Sequence, residues 1–107
     1  MLGMKPKRIT TIERRIHIIK SELMKLGDMR PGSLTRQVQV RNGRTYSYWQ
    51  LSYTHSMRSR TNYVRPELVK ATRSQVKTFK KFKKLVDEWV KLAIEHAQLT
   101  AQLTAES

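Results

Sequence analysis

The sequence predicts an α+β chain: an N-terminal helix, a three-stranded antiparallel meander and a long C-terminal helix. Three observations carry that reading. Ile12, Ile16, Ile19, Leu23 and Leu26 recur at helical spacings of 4, 3, 4 and 3; Asn42-Gly43 separates two runs rich in alternating residues; and residues 67–107 contain neither Gly nor Pro.

Residues 1–9 read as a basic flexible arm, with no apolar stretch of the kind a signal peptide needs. Residues 10–107 read as one small domain whose last helix protrudes or finds a partner. Thr10-Thr11-Ile12-Glu13 matches a capping box, with Thr10 at the N-cap and Glu13 reaching back to it. The first helix is therefore expected at about 11–26, stopped by Gly27. Arg14, Arg15, Lys20 and Lys25 fall on its other side.

The linker Asp28-Met29-Arg30-Pro31-Gly32-Ser33 is turn-rich. Strands are expected at about 34–41, 45–54 and 57–64. Leu34, Val38 and Val40 share one parity of the first strand, and Trp49, Leu51 and Tyr53 one parity of the second; Val38, Val40, Trp49, Leu51 and Tyr53 are assigned to the core. Asn42-Gly43 suits a type I′ turn, which needs positive φ at both central positions. His55-Ser56 is expected to make the second tight turn. With Tyr63 placed inward, Arg58, Arg60 and Asn62 face outward beside Tyr46, Tyr48 and Gln50 and beside Gln37, Gln39 and Arg41.

Pro66 suits the first turn of a helix over about 66–103, with Glu67 near the positive end of its dipole. At 1.5 Å per residue such a helix is about 55 Å long, more than the roughly 35 Å breadth of a compact domain this size. On a helical wheel Leu68, Thr72, Val76, Phe79, Phe82, Val86, Trp89, Val90, Ala93 and Ala97 share one broad face. Arg73, Lys77, Lys80, Lys84 and Lys91 lie opposite, flanked by Lys81. Leu85, Leu92, Leu99 and Leu103 form a second apolar edge, read either as packing on the first helix or as a homo-oligomer seam.

Charge points to a partner class. The 107 residues hold 22 Lys+Arg against 8 Asp+Glu, a formal net charge of +14, and the pI is near 10.7. Residues 1–84 carry 21 of the basic residues, whereas Lys91 faces Asp87, Glu88, Glu95 and Glu106 in the remainder. Between Asp28 and Glu67 no acid occurs, and Arg30, Arg36, Arg41, Arg44, Arg58, Arg60 and Arg65 are the basic residues there. Arginine presents a planar fork that grips phosphates and guanine edges in pairs of hydrogen bonds.

The expectation is a non-enzymatic nucleic-acid-binding protein. Its binding residues would be Arg36, Arg41, Arg44, Tyr46, Tyr48, Gln50, Arg58, Arg60, Asn62, Arg65, Arg73, Lys77, Lys80, Lys81 and Lys84. Duplex DNA is favoured because a β-ribbon fits the major groove; RNA stays open, since exposed tyrosines stack on unpaired bases. A helix-mediated adaptor binding an acidic protein is a third reading. Several chemistries lack their parts. The absence of cysteine excludes thiolate metal sites and disulfides. His17, His55 and His96 make no metal-ligand spacing, and no Gly-rich phosphate loop occurs. No cofactor, no metal and no membrane span is expected, and a cytoplasmic location with the nucleoid or a ribonucleoprotein follows.

Gly32-Ser33-Leu34-Thr35, Tyr48-Trp49-Gln50-Leu51-Ser52-Tyr53, Ser59-Arg60-Thr61, Tyr63-Val64-Arg65-Pro66-Glu67-Leu68-Val69 and Phe79-Lys80-Lys81-Phe82-Lys83-Lys84-Leu85 together resemble a small bacterial and archaeal domain family found near transposase genes on mobile elements. The likeness covers about half the chain. It implies the same order of strands and basic helix, and a mobile-element setting. That family carries a Cys-rich Gly-Lys-Pro loop where this chain has Val40-Arg41-Asn42-Gly43-Arg44, so no metal role of the loop transfers. The family has no assigned activity.

Overall fold

A computed structural model describes residues 6–106. The element order is α1 (Lys7–Met24), β1 (Ser33–Arg41), β2 (Arg44–His55), β3 (Arg58–Val64), a 3-10 turn (Pro66–Leu68) and α2 (Val69–Glu106). The predicted α+β order stands. The chain divides into two compact units: residues 27–81 form one, and residues 1–26 with 82–107 form the other. The 38-residue α2 contributes its first part to one and its remainder to the other.

In the helical unit, α1 starts earlier than the capping box suggested. Lys7, Arg8 and Ile9, assigned to the arm, form its first turn; Met1–Lys5 of that arm lie outside the described residues. The reason is apolar spacing. Ile9 extends the stripe one step N-terminally and is buried with Ile12 and Ile19, while the Pro6 carbonyl accepts from the Ile9 and Thr10 amides. Thr10 is inside the helix and caps nothing. At the other end, Lys25 and Leu26 donate to Glu22 and Leu23 three residues back. The helix thus closes in a tightened turn before Gly27, which takes no left-handed cap.

Within this unit α1 and the later part of α2 run antiparallel, as four contacts show. Arg8 pairs with Glu95, Arg15 with Glu88, and Glu13 with His96, while the Lys20 ammonium lies 5.3 Å from the Trp89 ring centre. Leu85 is buried, and Leu92 and Leu99 are half-buried. Leu85, Leu92 and Leu99 of the leucine edge are thus withdrawn from solvent wholly or in part, whereas Leu103 is exposed. Arg15 and Lys20, expected on the free side of the first helix, instead flank its packed side.

In the sheet unit the strand order is β1-β2-β3, all antiparallel. Both turns are two residues long with positive φ throughout: 50° and 75° at Asn42 and Gly43, and 51° and 64° at Ser56 and Met57. The second turn thus lies one residue later than expected. The first pairs Leu34 with Leu51 and Val38 with Ser47; the second pairs Leu51 with Asn62 and Trp49 with Val64. Leu51, Val64, Val69 and Val76 form the core, with Leu34, Trp49 and Tyr53 packed against it. At 25 cal/mol per Å², burying each such aliphatic side chain contributes about 1.5–3 kcal/mol. The early part of α2 covers only the middle of this face, leaving Val38 and Val40 60% and 70% exposed.

Candidate nucleic-acid interface

Register decides which side chains share a face, because directly paired residues point the same way. On the face opposite Leu51 lie Thr35, Gln37, Gln39 and Arg41 of β1, Arg44, Tyr46, Tyr48 and Gln50 of β2, and Tyr63 of β3. Gln39 Nε2 donates to the Tyr48 hydroxyl at 3.5 Å, and Gln37 Nε2 to Thr35 Oγ1 at 3.1 Å. Tyr46 and Tyr63 are 49% and 64% exposed. The only charges on this face are Arg41 and Arg44, paired opposite each other at the hairpin tip.

The expected binding face is therefore divided. Arg58, Arg60 and Asn62 pair with His55, Tyr53 and Leu51, which puts them on the core face of the sheet; Tyr63, expected inward, points to the other side beside Gln50. The cause is turn length. A two-residue turn links strand positions whose numbers sum to an odd value, so the odd-numbered residues of β2 meet even-numbered residues of β3. Val64, not Tyr63, completes the core. Arg36 also belongs to the core face, opposite Trp49, with its Nη2 donating to Ser47 Oγ at 3.1 Å.

On α2 the basic stripe is placed differently from the wheel as well. Arg73 lies over Trp49 with its guanidinium carbon 5.3 Å from the ring centre, and Arg73, Lys77 and Lys80 line a groove with Ser33, Leu34 and Val76. These three cations border the packed side of the helix instead of opposing it. Lys81, about 100° further round, is exposed away from the groove. Lys84 belongs to the helical unit, near Glu88, and Lys91 pairs with Asp87 four residues earlier. Arg65 is exposed at the entry to the 3-10 turn.

The two units treat their charges differently. In the helical unit, Arg8 and Arg15 each make two hydrogen bonds to one carboxylate, at 2.6–2.8 Å. Those bonds hold the Glu88 and Glu95 carboxyls below the usual carboxylate value and raise both guanidiniums further. The sheet unit holds twelve Lys and Arg side chains against Asp28 and Glu67. Among the described residues none of those twelve is ion-paired.

No group of three His, Cys, Asp or Glu side chains suited to a metal ion occurs among the described residues. His96, on the packed side of α2, is held by Glu13 at 2.9 Å. No described helix is long and apolar enough to cross a membrane. No protein-family model matches the chain, and comparison with curated proteins and with solved structures gave no significant match.

Proposed function

We propose that this chain is a non-enzymatic nucleic-acid-binding protein, with duplex DNA its favoured ligand and the sheet unit its binding body. The observation that carries the proposal is the contrast in counter-ions. One unit holds Arg8 and Arg15 on its own carboxylates, and the other leaves twelve cations for an external polyanion. Releasing condensed counter-ions from phosphates is the dominant electrostatic gain available to such a surface. The exposed β1–β2 hairpin, with Arg41 and Arg44 at its tip, has the breadth of elements that enter a major groove. An accessory or regulatory role for a mobile element or virus, in the cytoplasm with the nucleoid or a ribonucleoprotein, belongs to the same proposal, and the motif resemblance supports its mobile-element setting alone.

RNA is the second reading, favoured by one specific feature. Tyr46 and Tyr63 are exposed on a nearly uncharged sheet face, where rings can stack on unpaired bases. For the helix-mediated adaptor reading, Leu85, Leu92 and Leu99 are wholly or partly buried while Leu103 is exposed. The test is a polarisation titration of duplex DNA, single strands and structured RNA over a range of salt. Neutralising six to eight phosphates gives log K against log salt a slope of about −5 to −7. A slope near zero with every polymer rejects the proposal.

A further inference from the structure

The Tyr and Gln side chains lie on one face of the sheet, and most of its cations lie on the other. A rigid duplex engaged by one face is out of reach of the other.

We infer that the groove between α2 and the β1 edge, on the core face of the sheet, is the seat of a nucleic-acid phosphodiester backbone. The groove measures about 350 Å³ and is lined by Ser33, Leu34, Arg73, Val76, Lys77 and Lys80. It therefore combines three cations with an apolar floor of Leu34 and Val76, and no carboxylate lines it. Arg73, Lys77 and Lys80 are spaced by 4 and 3 residues, so they follow one side of the helix over about 10 Å. At one phosphate per ~3.4 Å of axis in each strand, that length spans about three successive phosphates.

Arg36 extends the row. It stands two residues beyond Leu34 on the same strand face, directly across from Trp49, and Arg73 sits over that same ring. The indole thus holds one guanidinium by cation–π attraction while leaving its N–H fork unsatisfied by any acid. A strand lying here also meets the open edge of β1, the outermost strand of the sheet on this side. These contacts grip the backbone without reading sequence.

This inference rests on the nucleic-acid reading, and the experiment separates the two. Binding is measured over a salt series for the parent chain, Lys77→Gln with Lys80→Gln, and Tyr46→Ala with Tyr63→Ala. The probes are duplex DNA, duplex RNA and single-stranded DNA. The lysine pair should make the salt slope shallower by about 2 on whichever polymer binds, and the tyrosine pair should leave it unchanged. Both lysines are exposed, so melting temperature should not fall, and Lys77→Arg with Lys80→Arg should restore the slope. Binding by the parent with a slope that the lysine pair leaves intact overturns the groove but not the function. No binding of any polymer by the parent overturns both. Displacement of the polymer by millimolar inorganic phosphate at constant ionic strength would reassign the groove to a small anion and overturn the strand assignment.

Discussion

Replacing Gly32 by alanine probes how the linker meets the sheet. Gly32 has φ of +125°, and a Cβ built there would lie 2.5 Å from the Ser52 backbone oxygen and 3.2 Å from Leu51 Cδ1. An L-residue at such a φ costs about 1–3 kcal/mol. Relieving a clash with backbone and with a fully buried leucine adds about 1–3 kcal/mol, so about 2–6 kcal/mol is expected in all. Gly43 is the control: its φ is also positive, at +75°, but nothing lies within 4 Å of the added atom. Gly43→Ala should therefore lose only the backbone term, about 1–2 kcal/mol. Each unit has its own tryptophan, Trp49 in the sheet unit and Trp89 in the helical one. Urea unfolding followed by Trp49 fluorescence in a Trp89→Phe background thus reports on the relevant unit. With m near 1–2 kcal/mol per M, Gly32→Ala should lower the midpoint by at least about 1 M. A loss below about 0.5 kcal/mol, or a larger loss at Gly43, would refute the packing argument.

Two more outcomes follow from the geometry. Met57 holds φ of 64° while 98% exposed, so Met57→Gly removes left-handed strain and no buried contact. It should stabilise the sheet unit by about 0.5–1 kcal/mol, raising the melting temperature by several degrees; a fall would count against it. Hydrogen bonds from Arg15 and Arg8 lower the Glu88 and Glu95 carboxyls from 4.5. The unfolded chain therefore binds those protons more readily, and the stability they contribute is present above pH 4.5 and lost as pH falls through the lowered values. Thermal melts between pH 7 and pH 3 should show Glu88→Gln with Glu95→Gln losing less on acidification than the parent. Parallel acid profiles would contradict the assignment.

Much of the fold was legible from local chemistry. Alternation along Leu34–Val40 and Trp49–Tyr53, joined by Asn42-Gly43, specified the first hairpin and its core face, because a type I′ turn leaves only one register. The face of β3 was legible by the same arithmetic: any two-residue turn after β2 sends Arg58, Arg60 and Asn62 to the Leu51 side. An inward Tyr63 breaks that parity, since Tyr63 pairs with Gln50 on the opposite face. The start of α1 was missed because a four-residue capping pattern outweighed Ile9, one more step of the same apolar stripe.

The amino-acid order alone determined the succession of helix, hairpins and helix, and the collection of unopposed arginines between Asp28 and Glu67. Both are local properties: turn geometry, periodicity and composition act over a few residues. Only the tertiary structure decided which carboxylates answer which guanidiniums, and that Arg73, Lys77 and Lys80 border a groove with β1. A helical wheel states angles about one axis, and the side of α2 that meets the sheet depends on where distant residues such as Leu51 and Val64 bury it.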